Sequence, residues 1–130
     1  MSYGSSVTLQ QPFERVVSRV HAALAEQGFG LLTEVDVQAT MKAKLDVDMA
    51  GYLILGACNP SLAHRALQID PSIGLLLPCN VVVRRTDSGV VVEAIDPVMM
   101  VTLSGNALLQ AIADEAGARL SAALAALVDS

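Results

Sequence analysis

Short apolar segments that end at proline turns are the feature that most constrains how this chain folds. Residues Tyr52 to Cys58 form a mostly apolar run of strand length, and Asn59-Pro60 follows it directly. Asparagine is a common helix cap and proline suits the first helical turn, so an interior strand should lead at once into a helix. Asp70-Pro71 then ends that helix, because the residue before a proline disfavours helical geometry.

Apolar spacing in the N-terminal part predicts a strand, a helix and a second strand. Residues 6–9 alternate as a short strand does, and residues 29–37 resemble a longer one. Between them the apolar residues repeat at helical spacing, and Gly28 is placed where a helix would stop. The predicted helix face consists of Phe13, Val16, Val17, Val20 and Leu24. Residues 39–45 are predicted to form one or two further helical turns.

The C-terminal part predicts a β-hairpin followed by a long helix. Residues 80–85 and 90–95 are apolar strands around a turn that contains Gly89. Residues 98–101 are apolar, and we expect a short strand or extended chain there. The helix over residues 107–128 is rich in alanine. Two buried helix faces are predicted: Leu62, Ala63, Ala66 and Leu67 after Pro60, and Leu108, Ile112, Ala116, Leu120, Ala123, Leu124 and Leu127 in the long helix.

The predicted elements define an α+β domain in which helices cover an antiparallel sheet. Their order is β-α-β-(α)-β-α-β-β-α. A chain of 130 residues fits a single domain, residues 1–130. Because 53% of the residues are hydrophobic and only 16% are charged, a packed core is expected rather than a disordered chain.

The charge of the chain argues against nucleic-acid binding and its hydropathy argues against membrane insertion. The formal net charge is −5 and the eight basic residues are scattered, whereas a nucleic-acid binder needs a basic surface. No uninterrupted apolar run is long enough to span a membrane, and the N-terminus does not resemble a signal peptide. We therefore expect a cytoplasmic location, where the two cysteines should be thiols.

The order of several motifs resembles a known family. Gly28-Phe29 is followed by G-A-C-N-P-x-x-A at residues 56–63, D-P-x-x-G-L-L-L-P-C-N at residues 70–80, a hairpin and Asp96-Pro97. This pattern is similar to that of the small bacterial and archaeal proteins of domain of unknown function family 302. The resemblance implies a fold like that of the TATA-binding-protein class and association as a homodimer. It implies no established reaction, and fold alone does not assign DNA binding.

The dipeptide Cys-Asn occurs twice, and these two segments are the strongest indication of a site. Cys58 ends the predicted interior strand just before a helix N-terminus, where partial positive charge lowers a thiol pKa. Cys79 follows Pro78 at the start of the next strand, so the two sulfurs approach each other if those strands pair. The predicted ligand-binding residues are Cys58, Asn59, Pro78, Cys79 and Asn80. The alternative is that both cysteines are small hydrophobic core residues.

The cofactor remains unknown from the sequence. Two thiols are too few for a structural zinc site, which uses four ligands. His64 is the nearest third candidate, although an exposed position on its helix is expected for it. Met99 and Met100 are soft donors that suit Cu(I) or haem, and they also serve as core residues.

Three functions stay open, and the sequence contains no motif that predicts an enzyme. C-x-x-C, G-x-S-x-G, P-loop and dinucleotide-binding motifs are all missing from the sequence. The first hypothesis is a homodimer that binds a small ligand or a soft metal near Cys58 and Cys79. The second is a thiol-dependent enzyme or redox carrier with Cys58 as its nucleophile. The third is an assembly module whose C-terminal helix packs against a partner.

Overall fold

The fold is α+β, with helices packed on an open sheet of five antiparallel strands. The computed structural model describes residues 3–128. The strand order across the sheet is β1-β5-β4-β3-β2. The strands are β1 (Gly4–Leu9), β2 (Gly30–Asp36), β3 (Tyr52–Cys58), β4 (Cys79–Thr86) and β5 (Gly89–Ile95). The fold class predicted from the sequence is confirmed.

Five α-helices and two 3₁₀ turns connect and follow these strands. The helices are α1 (Phe13–Glu26), α2 (Val37–Leu45), α3 (Pro60–Ile69), α4 (Val98–Ser104) and α5 (Gln110–Val128). The 3₁₀ turns are Pro71–Leu76, between α3 and β4, and Ala107–Leu109, before α5. No helix within residues 3–128 combines the length and the apolar composition that crossing a membrane would need.

The main core lies between one face of the sheet and helices α1 and α5. Alternate residues of each strand point to this face, as the two-residue period of a strand requires. Leu55, Val83 and Val92 are completely buried there. They pack with Val16 of α1 and Leu120 of α5. The core is almost entirely aliphatic, because only four of the 130 residues are aromatic.

The opposite face of the sheet is less well covered. We call it the open face and define it by residues Tyr52, Ile54, Val82, Arg84, Val91 and Glu93, which alternate with the core positions. All six are only partly buried. Arg84 Nε lies 2.6 Å from Glu93 Oε1 across the β4–β5 pair, so one ion pair stands beside the apolar side chains.

A smaller apolar cluster lies at the end of the sheet where β3 ends and β4 begins. Leu62 and Ala66 of α3, Ile73 of the first 3₁₀ turn and Met100 of α4 are buried together. They pack against the first turns of α5, including Ile112. The β3–β4 connection and α4 are therefore held around one end of the sheet.

Residues 98–101 are helical, so the prediction of a short strand or extended chain there was wrong. Asp96 Oδ1 accepts a hydrogen bond from Val98 N at 3.0 Å, and Asp96 O accepts one from Met99 N at 3.0 Å. These two hydrogen bonds to Asp96 form the turn that leads into α4, whose N-cap residue is Pro97. The apolar run was short enough to suit either structure, and the turn chemistry before it decides the outcome.

The start of the long helix also differs from the prediction. A 3₁₀ turn comes first, and Asn106 Oδ1 accepts a hydrogen bond from Leu108 N at 3.0 Å. This turn shifts the apolar face by one residue, so that Leu109 is completely buried while Leu108 is 74% exposed. On α3, Leu67 is likewise more exposed than predicted. The rest of the predicted α5 stripe is buried against its own chain.

Candidate ligand-binding site

Paired strand ends bring the two Cys-Asn segments together. Ala57 of β3 pairs with Cys79 of β4, and Gly56 pairs with Asn80. Cys58 is the last residue of β3 and Cys79 is the first of β4, so both lie at the same end of the sheet. The expectation that these two strands are neighbours is confirmed.

Asn59 has a structural task at this end of the sheet. Its Oδ1 accepts a hydrogen bond from Leu62 N at 3.3 Å, which caps α3, and Pro60 occupies the first helical turn. This capping turns the chain sharply from β3 into α3. As a result the first turns of α3 lie directly beside Cys58.

Gly56 allows two side chains to approach β3 closely. A Cβ atom at this position would lie 2.7 Å from Pro78 Cγ and would collide with Thr33 Oγ1. Real Cβ atoms do not tolerate such distances, so the absence of a side chain here is a packing requirement. Pro78, whose peptide bond with Leu77 is cis, is thereby held against the end of β3.

A cavity of about 280 Å³, which we call the first cavity, opens beside the two cysteines. Four of the five predicted ligand-binding residues line it, namely Cys58, Asn59, Pro78 and Cys79. Apart from Asn59 and the two thiols, the lining side chains are apolar and none is charged. The other lining residues are Phe29, Leu32, Ala57, Leu62, Ala63, Ala66, Leu67, Gly74, Leu77, Met100, Ile112 and Ala116.

A second cavity of about 220 Å³ adjoins the first. Leu77, Pro78, Cys79 and Met100 line both of them and form the wall between them. The fifth predicted residue, Asn80, lines this second cavity. Its other lining residues are Leu75, Leu76, Ile95, Asp96, Pro97, Met99 and Leu103, so it is more polar than the first.

Both cysteines are free thiols with raised pKa values. Cys58 is partly exposed and Cys79 is buried. Burial raises the pKa of Cys58, and it raises the pKa of Cys79 to about 11, with the charge of a Cys58 thiolate adding to the second shift. Loss of solvation thus outweighs the effect expected from the helix N-terminus. At neutral pH both sulfurs are protonated.

The predicted metal ligands are only partly brought together. His64 is exposed on α3 and does not line either cavity. Met100 shares the first cavity with both cysteines, and Met99 lines the second. Among residues 3–128, no group of three or more His, Cys, Asp or Glu side chains is arranged to hold a metal ion.

Sequence reasoning missed the walls contributed by distant elements. Phe29 precedes β2, and Ile112 and Ala116 belong to α5, yet all three line the first cavity. Helical spacing marked Ile112 and Ala116 as buried. Nothing in the local sequence distinguishes a residue that faces a cavity from one that faces a filled core.

The fold and the two cavities beside Cys79 define a small α+β domain with an open antiparallel sheet and an apolar recess at one end. The chain belongs to the family described as "Domain of unknown function DUF302", whose model matches residues 5–127. This agrees with the resemblance noted in its sequence motifs. The further likeness to the TATA-binding-protein class stays a prediction.

Solved structures include one that is similar to nearly the whole chain. It is described as the crystal structure of an uncharacterized conserved protein DUF302 from Bacillus stearothermophilus. Sequence identity is 27%, the TM-score is 0.88, and the alignment covers 95% of this chain and 97% of that one. No curated protein matches this chain significantly.

Proposed function

We propose that this protein binds a small apolar molecule in the first cavity. The observation that carries the proposal is the composition of the cavity wall, which combines aliphatic side chains with two thiols and one amide. Small-molecule sites are typically concave and mostly apolar, with a few polar groups that orient the ligand. Cys58 and Asn59 would supply those groups.

The volume of the cavity limits the ligand. A dry cavity of about 150 Å³ holds one benzene molecule. A cavity of about 280 Å³ therefore accommodates roughly ten to twelve non-hydrogen atoms. A fused bicyclic molecule or a branched aliphatic chain of that size would fill it.

The protonation state of the thiols favours a neutral ligand over the other hypotheses. A thiol-dependent enzyme needs a thiolate, and a soft metal ion binds thiolates. The raised pKa values of Cys58 and Cys79 oppose both at neutral pH. A neutral thiol is a polarisable, weakly polar contact for an apolar ligand and buries no charge.

Naphthalene, which has ten carbon atoms, is a suitable probe. We expect its addition to shift the backbone amide resonances of α3 and of the β3 and β4 ends in an NMR titration. Ala63→Leu should weaken binding at least about tenfold, because a branched side chain would occupy the cavity that Ala63 lines. Ala122→Leu is the matched control, since Ala122 is exposed on α5 and lines neither cavity.

The outcome separates binding in the cavity from binding elsewhere. Tight binding by the wild type and by Ala122→Leu, with loss in a folded Ala63→Leu protein, supports the proposal. Unchanged resonances at the solubility limit of naphthalene would overturn it. Equal binding by all three proteins would place naphthalene outside the cavity and would equally contradict the proposal.

We propose homodimerisation through the open face as a second role. Ile54, Val82 and Val91 are apolar and partly exposed on this face. The adjacent Arg84 and Glu93 have opposite charges, so in a pair of copies related by a two-fold axis Arg84 of one copy can face Glu93 of the other. Such a self-complementary face suits a symmetric interface.

Sedimentation equilibrium tests this second role. We expect the wild type to sediment with the mass of two chains and Val82→Glu with the mass of one, since the added carboxylate would lie at the centre of the open face. Ala22→Glu, on the exposed side of α1, should remain dimeric. A monomeric wild type, or a dimeric Val82→Glu protein, would reject the open face as the interface.

A further inference from the structure

We infer that the natural ligand is a single-chain amphiphile whose apolar tail occupies the first cavity and whose uncharged or ammonium head group lies beside Asp96 in the second. This inference rests on the proposed function, because it assigns the ligand class to the same site. It depends on how the two cavities adjoin, on their different polarity and on the charges that line them.

The arrangement of the cavities favours an elongated ligand. Leu77 and Pro78 line both cavities and are partly exposed, so a ligand that extends from the opening of the first cavity passes over these two side chains to reach the second. The first cavity lacks charged side chains, whereas Asn80 and Asp96 give the second a polar side. An apolar tail and a polar head match these two environments in order.

The charges around the cavities select the head group. Within residues 3–128, no Lys, Arg or His lines either cavity. Asp96 Oδ1 accepts a hydrogen bond from Val98 N in the turn before α4, which leaves Oδ2 as an acceptor for a ligand. A carboxylate or phosphate head would meet a like charge without a counter-ion, whereas an ammonium or hydroxyl group could donate to this oxygen.

Exposed leucines at both openings support an alkyl chain. Leu32 and Leu67 line the first cavity and are exposed, while Leu75 and Leu103 line the second and are 87% and 63% exposed. Exposed apolar side chains that surround an apolar recess commonly mark a ligand-binding groove. An alkyl chain that extends beyond the first cavity would cover them.

A matched series of decyl compounds tests the head-group assignment. Decylamine, 1-decanol and decanoate have the same chain, and each is titrated below its micellar concentration against protein saturated with naphthalene. We expect decylamine to displace naphthalene at about one tenth of the concentration that decanoate needs. Decanol should need a concentration nearer to that of decylamine than to that of decanoate. The difference should shrink severalfold in Asp96→Asn, which removes the charge and keeps a side-chain oxygen that can accept from Val98 N.

Asp87→Asn controls for the change in net charge. Asp87 is exposed in the β4–β5 turn and lines neither cavity, so this variant should retain the wild-type preference for the amine. If naphthalene binds but the amine and the carboxylate compete equally, the head-group inference fails and the proposed function stands. If Asp87→Asn loses the preference as much as Asp96→Asn does, the preference reflects net charge and the inference is overturned. If naphthalene does not bind at all, the proposed function itself fails.

Discussion

The thiols of Cys58 and Cys79 lie close enough that ionisation of Cys58 raises the pKa of Cys79. Burial contributes more to the shift than this repulsion does, and it raises the pKa of Cys58 as well. Each thiol therefore favours the neutral state of the other. The Cys58–Cys79 pair forms an uncharged sulfur surface at the cavity wall, and this property leads to two of the predictions below.

Stability should fall at alkaline pH because of Cys79. Burial raises the pKa of this thiol from 9.0 to about 11, so the folded state binds the proton more tightly than the unfolded state. The contribution of the protonated Cys79 thiol to the free energy of unfolding is complete below pH 9. It is lost as the pH rises towards 11, by roughly 2 kcal/mol in all. Urea unfolding at about pH 8, 9.5 and 11 should show a shallower decline for Cys79→Ala than for the wild type. Equal declines would refute the assignment.

The two cysteines should react with thiol reagents at different rates. At about pH 8 Cys79 carries roughly a hundredth of the thiolate of an unperturbed cysteine, and it is also buried. We expect Ellman's reagent to label the Cys79→Ala variant, which retains Cys58, faster than the Cys58→Ala variant. Both should react more slowly than glutathione. If Cys58 instead reacted faster than glutathione, the nucleophile hypothesis would regain support.

Gly56→Ala should destabilise the protein by about 1–3 kcal/mol, since overpacking forces neighbouring atoms apart. The new methyl group would lie 2.7 Å from Pro78 Cγ and would also collide with Thr33 Oγ1. Gly30→Ala is the matched control on β2, because a Cβ there has no atom within 4 Å. Chemical denaturation of both variants measures the difference. A Gly56→Ala protein as stable as Gly30→Ala would contradict the packing argument.

Asn59 and Asn80 follow the two cysteines but should differ in their effect on stability. Asn59→Ala removes the side-chain cap of α3 and should cost about 1 kcal/mol of unfolding free energy. Asn80 is exposed, so Asn80→Ala should change stability by less than about 0.5 kcal/mol. Thermal unfolding monitored by circular dichroism compares the two. Equal losses would show that capping by Asn59 contributes little.

Gly117→Ala should stabilise the protein. Gly117 lies inside α5, where glycine costs up to about 1 kcal/mol relative to alanine. A Cβ there would be 3.7 Å from Pro97 Cδ, which is an ordinary van der Waals contact. We expect an increase of roughly 0.5–1 kcal/mol in the urea unfolding free energy. A decrease would show that α5 and Pro97 pack more tightly than this distance indicates.

Much of the fold could be predicted because local signals and burial agree. Tyr52–Cys58 is a strand with the predicted bounds, and the Asn59 cap and Pro60 start α3 as expected. The hairpin of β4 and β5 also follows from apolar strands around a glycine turn. In these segments propensity, pattern and turn chemistry indicate the same structure.

The failures occur where one of those signals was given too much weight. The apolar composition of residues 98–101 predicts a short strand or extended chain, but the Asp96-Pro97 turn before them, in which Asp96 Oδ1 accepts from Val98 N, leads into a helix. Leu108 was placed on the α5 stripe because a 3₁₀ turn cannot be distinguished from a helix by spacing over three residues. The cavity walls depend on the tertiary arrangement that brings Phe29, Met100 and Ile112 to one cavity, and no local pattern contains this information.

Because Ala57 pairs with Cys79, the connection between β3 and β4 begins and ends at neighbouring positions of the sheet. Residues 59–78 leave and re-enter the sheet at neighbouring positions, so β3 and β4 pair directly without them. Doubling the length of such a loop costs only about 0.6 kcal/mol in closure entropy. Provided that Leu62, Ala66 and Ile73 keep their buried contacts, the rest of this segment can change in sequence and length without disturbing the sheet. Changes confined to this single stretch of chain would therefore alter the lining of both cavities and leave the pairing of the strands in place.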